Sequence, residues 1–206
     1  MRKYSIFPLI IASLAMTIML SSCSSVSKVI GGRHKFDHAQ NFEGMQRYNF
    51  KVPPAQLENN PDFRFIRNAG VILAIENAMA AKQIRKERYG EPDFWLNYFF
   101  TGEQGITVGQ LNQLYTYNLG LAWDDKYGTG KGIANTDYRF SSRTLIIDLV
   151  SREGNRLIWR GSAPTNITHE QSHSQNRESL DSAIEVIMAP VPPENIFKTL
   201  KDAVPL

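Results

Sequence analysis

Few residues in this chain have types and spacing that could do chemistry. His169-Glu170-Gln171-Ser172-His173 satisfies the HExxH pattern, in which two histidines one helical turn apart bind zinc and the glutamate serves as general base. A catalytic zinc also needs a third protein ligand and a buried helix to carry the pattern. The neighbours Thr165, Asn166, Thr168, Ser174, Gln175 and Arg177 are polar, and Asn176 and Ser179 stand where a metzincin places glycine and histidine. Glu194 falls near the distance of a gluzincin ligand, but beyond three prolines. The segment reads as a solvated helix entrance, with His169 and His173 kept as candidate metal ligands. Gly128-Thr129-Gly130-Lys131-Gly132 lacks the spacing and the hydroxyl residue of a phosphate loop and reads as a turn. Asp124-Asp125 lacks the alternating oxygens and closing glutamate of a calcium loop. No GxSxG elbow occurs. Tyr115, Tyr117, Trp123 and Tyr127 are an aromatic group that either lines a glycan or peptide groove or packs as core.

The remaining reactive side chain is Cys23, the only cysteine, at the end of Leu20-Ser21-Ser22-Cys23. Arg2 and Lys3 precede an apolar stretch from Ile6 to Leu20, broken by Pro8, which is the layout of a cleavable export signal. The stretch falls short of the ~20 apolar residues a membrane-spanning helix needs. LSSC resembles the lipobox of bacterial lipoproteins. That resemblance implies a lipid on the Cys23 sulfur, cleavage before it, and a finished terminus with two or three acyl chains, enough for stable anchoring where a single chain is marginal. Ser24, where an aspartate would signal retention, implies transfer to the outer membrane with the domain facing the periplasm. No cysteine is left for a disulfide, a thiolate nucleophile or a metal ligand.

Taking 22 signal residues from 206 leaves 184, enough for one domain with a real core. Arg2 and Lys3 leave with the signal, so the formal charge of +3 falls to +1. No basic face of the kind nucleic acid requires is present. The densest run, Arg85, Lys86 and Arg88, reads as the end of a helix, where cations complement the dipole.

The elements that must position these residues follow from periodicity. Residues 23–35 read as the lipidated terminus and a flexible tether. Arg47 to Val52 alternates and closes at Pro53-Pro54, a first strand. Asn60-Pro61 opens a helix in which Ile66, Ala69, Leu73, Ala80 and Ile84 keep helical spacing, flanked by Phe65, Ile72 and Met79, until Gly90 and Pro92 stop it. Asp93 to Phe100 is a strand with Phe94, Leu96, Tyr98 and Phe100 on one face and Trp95, Asn97 and Phe99 on the other, so it is central or covered on both sides. Residues 101–140 carry at least one strand, expected around Leu114 to Trp123, within a long loop or hairpin. Thr144 to Val150 and Arg156 to Gly161 form a hairpin around Arg152-Glu153-Gly154-Asn155. Leu180, Ala183, Ile184, Ile187 and Met188 line a second amphipathic helix ending before Pro190. Residues 194–206 form a C-terminal amphipathic segment with Ile196, Phe197, Leu200 and Val204 on one stripe.

Phe36-Asp37, Asn41-Phe42, Tyr48, Glu91-Pro92-Asp93 and above all TLIIDLVSREGNRLIWRGSA at 144–163, closing at Pro192-Pro193, resemble the DUF4136 lipoproteins over residues 36–193. Ser142-Arg143 stands where that family usually has a glycine before the threonine, and Ser151 replaces a common acidic residue. The resemblance implies an envelope lipoprotein with an α+β domain and no established activity, cofactor or catalytic residues. The expected architecture is a mixed four- to five-stranded sheet with two helices packed on one face. The expected function is non-catalytic binding or scaffolding, with the membrane and other envelope proteins as partners. A zinc-dependent hydrolase through His169, Glu170 and His173, and a small-ligand or lipid carrier, are the alternatives.

Overall fold

The computed structural model describes residues 32–37, 39–51, 68–119, 137–168 and 170–191. Its frame is a seven-stranded mixed sheet. In chain order the elements are β1 (Arg33–Phe36), β2 (Arg47–Phe50), α1 (Asn68–Ala81), β3 (Arg85–Lys86), β4 (Phe94–Phe100), β5 (Ile106–Thr107), α2 (Val108–Tyr115), β6 (Asn118–Leu119), β7 (Arg139–Phe140), β8 (Thr144–Ser151), β9 (Arg156–Pro164) and α3 (His173–Met188). The sheet runs β1-β9-β8-β4-β2-β3. β6 pairs with β9 beyond the end of β1, and β5 and β7 form a separate two-stranded ribbon.

The sheet is larger than expected, and helices cover both of its faces. On one face α1 and α3 pack with Tyr48, Phe94, Leu96, Leu145, Ile147, Leu149 and Trp159 in a single core. On the other, α2 covers Phe99, Ile146, Val150 and Leu157. β4 accordingly buries Phe94, Leu96 and Phe100 toward one core and Phe99 toward the other, as its two-faced sequence requires. The space between α1, α3 and the sheet is filled by Val71, Ile75, Met79, Ile184, Ile187 and Trp159, all buried. A lipid carrier would need that space open.

Three local expectations are corrected. First, α1 stops at Ala81, nine residues before Gly90. Gln83 adopts φ 62, the Ile84 amide donates back to the Met79 carbonyl at 3.0 Å, and Arg85-Lys86 become an edge strand rather than a helix end. A two-residue cationic edge resists further strand pairing. The buried stripe of α1 is Val71, Ala74, Ile75 and Met79, while Leu73 is 49% exposed. Because Val71 to Ile75 is apolar all round, spacing alone could not set the helix's rotation. The helix start expected at Asn60-Pro61 lies outside the described residues.

Second, a strand does fall within the stretch expected around Leu114 to Trp123, as Asn118–Leu119, but Leu114 and Tyr115 close an unforeseen helix, Val108–Tyr115, and residues 120–123 lie outside the described residues. The helix start carries a capping box: the Gln110 amide donates to Thr107 Oγ1 and the Thr107 amide to Gln110 Oε1. Third, β1 begins at Arg33, within the expected tether, and pairs antiparallel with β9. The hairpin and the second amphipathic helix form as their patterns indicate. Gly154 (φ 68) and Asn155 (φ 49) turn the hairpin, and Leu180, Ala183, Ile184, Ile187 and Met188 are the buried residues of α3.

Two substitutions test this frame. A Cβ on Gly161 would meet Trp159 Cη2 at 2.2 Å and Ile187 Cγ2 at 2.7 Å, both on buried side chains. Gly161→Ala is therefore expected to cost about 1–3 kcal/mol by overpacking, read as a lower urea midpoint at unchanged slope. Arg143 has φ 56, a left-handed conformation that favours glycine. Arg143→Gly is expected to stabilise by up to about 1 kcal/mol, read as a higher urea midpoint, since a left-handed conformation penalises any Cβ.

Candidate functional site

The polar centre of the molecule lies inside the sheet. Asp148 on β8 and Arg160 on β9 are directly opposed residues, 2% and 0% exposed. Arg160 Nε donates to Asp148 Oδ1 at 2.6 Å and Nη2 to Oδ2 at 2.7 Å, a two-pronged pair. Nη1 donates to Asn112 Oδ1 on α2 at 3.0 Å, and the guanidinium lies 5.8 Å from the centre of the Tyr117 ring. Burial works against the charge on Arg160, yet the field and hydrogen bonds of Asp148 outweigh it and raise its pKa.

A register shift creates this pairing. Leu149 faces Trp159, whereas Val150 faces Leu157, leaving Ile158 as the extra residue. Ile158 and Trp159 consequently both join the α1/α3 core, and alternation resumes with Arg160 turned toward α2. Trp159 is fully buried, its Nε1 without an acceptor among the described residues, and belongs to the core.

Tyr115 and Tyr117 end in this same layer. Their rings stack at 5.1 Å, both buried. The Tyr115 hydroxyl donates to the Tyr98 carbonyl at 3.0 Å, and the Asn97 amide donates to the Tyr117 hydroxyl at 2.7 Å. The two rings cover the ion pair rather than facing solvent. Trp123 and Tyr127, expected beside them, lie outside the described residues, as do Asp124-Asp125 and residues 128–132. Burial, above all, pushes both phenols well above their ordinary pKa; the Asp148 charge adds to this and Arg160 opposes it.

The HExxH segment is not carried on a helix. Ser172 is the N-cap of α3, extended at φ −64 and ψ 160, with a capping box to Gln175, so Glu170 and Gln171 precede the helix and exposed His173 is its first residue. His169 and Cys23 lie outside the described residues. Among the described residues no group of three His, Cys, Asp or Glu side chains could hold a metal ion. None of their helices is long and apolar enough to cross a membrane.

Two concavities stand out among the described residues. A polar cleft of about 690 Å³ lies between the tip of the β8–β9 hairpin and the 40–45 loop, lined by Gln40, Glu43, Asp93, Asn118, Arg152 and Arg156 among others. Arg156 Nη2 donates to Gln40 Oε1 at 2.6 Å, and Arg152 pairs with exposed Glu91 at 3.0 Å. Asp93 is tied down: burial raises its pKa, but hydrogen bonds from the Arg47 side chain and from the Gln46 and Arg47 amides leave it below the usual carboxylate range. The cleft was not foreseen, because it joins a loop and a hairpin more than a hundred residues apart. The second concavity, about 550 Å³, is a groove between α1 and α3.

Residues 33–193 match DUF4136, a domain of unknown function. The chain belongs to this family. The match starts at the first residue of β1 and ends two residues past the last described residue, Val191. No curated protein matches the chain. Among solved structures, a PDZ domain protein from Parabacteroides distasonis is similar at a TM-score of 0.42 and 11% identity, covering 78% of this chain and 35% of that one, so this chain spans about a third of its length. A PelC dodecamer from Paraburkholderia phytofirmans is similar at a TM-score of 0.41 and 11% identity, covering 78% and 95% of the respective chains.

Asp148→Ala is expected to destabilise by about 3–5 kcal/mol, because it strands a buried guanidinium, while Asp148→Leu combined with Arg160→Met recovers most of the loss. A double-mutant cycle in urea measures this, and additive single effects would contradict the coupling. The raised phenols work on the alkaline side. Their pKa in the fold exceeds the unfolded value near 10, so their contribution is complete below about pH 10 and is lost as the pH rises past it. Absorbance at 295 nm should show these two tyrosines ionising only with loss of the circular dichroism of the fold; their titration in intact protein would refute the burial.

Proposed function

We propose that this DUF4136 protein is a lipid-anchored module of the outer membrane that binds another envelope component, without catalysing a reaction, through the polar cleft at the hairpin tip. The observation that carries this reading is the direction of β1. Arg33 pairs with Ser162 and Phe36 with Trp159, so the chain arriving from Cys23 enters at the end of β9 opposite the hairpin turn. Nine residues separate Cys23 from Arg33, a reach of at most ~36 Å when extended. β9 itself rises ~30 Å. A lipid on Cys23 would hold the Ser162–Pro164 end toward the bilayer and turn the cleft toward the periplasm.

Charged and amide side chains dominate the cleft, which suits a polar partner surface. Arg152, Glu153 and Glu91 are exposed, so their ion pairs contribute little to stability and are free to exchange partners. The zinc-hydrolase alternative gains no support from a motif that straddles a helix cap.

Replacing Cys23 by Ser should move the protein from the membrane fraction to the soluble periplasmic fraction. In the lipidated protein, a photo-crosslinking residue at Asn41 or Glu153 should capture a reproducible envelope partner that the same residue at Pro164 does not. Equal capture from Pro164, or retention of Cys23→Ser in the membrane, would overturn the reading.

A further inference from the structure

The amphipathic segment expected at 194–206 lies outside the described residues, and the large apolar side chains that the described fold exposes are Leu73, Leu119 and Tyr89. Leu73 and Leu119 are half-exposed, whereas Tyr89 is 98% exposed. Single exposed aromatics are common on protein surfaces and carry no message by themselves. What distinguishes Tyr89 is the turn that holds it. Glu87 Oε1 accepts hydrogen bonds from the amides of Arg88, Tyr89 and Gly90 at 3.0, 3.1 and 3.1 Å. These bonds, those from Tyr89 and Gly90 foremost, keep the Glu87 carboxyl below the usual carboxylate range, so the clamp is closed at neutral pH. The Glu87 amide donates to the Tyr48 carbonyl at 2.7 Å. Past the tip, Pro92 is buried and the Asp93 amide donates to the Arg47 carbonyl at 2.8 Å. Both feet of the loop are thus fixed to β2, and the tip holds the phenol ring in water on a backbone that is already ordered.

This loop stands at the hairpin end of the sheet. Phe94 lies opposite Ser151, Glu91 pairs with Arg152 at 3.0 Å, and Asp93 and Arg152 both line the polar cleft. The carboxylates of the loop are engaged: Glu87 by the three amides and by Arg47, Glu91 by Arg152, and Asp93 by Arg47. Its cations are not. Lys86 is paired with Glu76, but among the described residues exposed Arg85 and Arg88 meet no carboxylate.

Tyr and Arg dominate the residues that carry binding energy at protein interfaces, and a side chain on a pre-ordered backbone loses less entropy on docking. We propose that Tyr89 and Arg88 anchor the envelope partner, a protein that offers an apolar pocket to the ring and Asp or Glu carboxylates to Arg88 and Arg85. This rests on the cleft being the binding end of the molecule, and adds which residues hold the partner and what chemistry it presents. A neutral glycan would stack on the ring but leave both guanidiniums without a counter-charge.

Photo-crosslinking in intact cells tests this, using the lipidated full chain with the crosslinker at Asn41 or Glu153 and the captured peptide identified by mass spectrometry. The parent should capture one protein through a peptide rich in Asp or Glu. Tyr89→Ala and Arg88→Glu should each lower that capture ~10-fold or more, while Tyr89→Phe and Leu73→Ala leave it nearly unchanged. All four variants should keep the circular dichroism and urea midpoint of the parent, since these side chains are exposed. Capture by the parent that survives both Tyr89→Ala and Arg88→Glu overturns the anchor and leaves the cleft as the binding site; no capture by the parent overturns both. A contact peptide without carboxylates, or a crosslink to a second copy of this chain or to polysaccharide instead of another protein, overturns the acidic protein as partner.

Discussion

A guanidinium enclosed between two central strands dictates much of what surrounds it. Arg160 cannot be dry and charged without a carboxylate in two-pronged contact and acceptors for its remaining donors, and Asp148, Asn112 and the Tyr117 ring meet that demand from three different elements. Such a pair adds little to stability against an apolar replacement, yet breaking it is costly. Its effect is to hold one register between β8 and β9 and one position of α2 over the sheet. The bulge at Ile158 belongs to the same constraint, since without it Arg160 would face the α1/α3 core, where no anion awaits it.

Covering both faces of the sheet has a functional consequence. With α1 and α3 on one side and α2 on the other, the described residues leave neither a ligand chamber between helix and sheet nor a free sheet face. What the fold leaves for recognition are its ends and the seam between helices. The hairpin tip and the 40–45 loop form the polar end, the chain from Cys23 arrives at the opposite end, and the groove between α1 and α3 lies between them.

Where sequence and structure agree, one physical signal dominates. β4 reads correctly as a two-faced strand because all seven of its residues have side chains suited to burial or a buried hydrogen bond, Asn97 included. The hairpin reads correctly because Gly154-Asn155 supplies left-handed conformations. α3 reads correctly because polar residues interrupt its apolar stripe at every turn. α1 misleads for the opposite reason, five consecutive apolar residues leaving its rotation open until the sheet chooses Val71 and Ile75. In α2, the aromatic end at Tyr115 and Tyr117 suggests a strand, although Thr107 and Gln110 carry a legible capping box and Val108, Leu111 and Tyr115 hold helical spacing.

The sequence by itself determined the local alphabet: the two-faced β4, the β8–β9 hairpin, the buried stripe of α3, and membership of a family legible in residues 144–163. These follow from interactions within a few residues of one another. Only the tertiary structure decided that Arg160 meets Asp148, that Tyr115 and Tyr117 roof this pair, that Arg85-Lys86 serve as a sheet edge, and that a cleft opens between Gln40 and the hairpin. Each depends on which strands become neighbours and in what register. A single extra residue at Ile158 reverses the faces of every residue after it, and no local pattern in the chain records that shift.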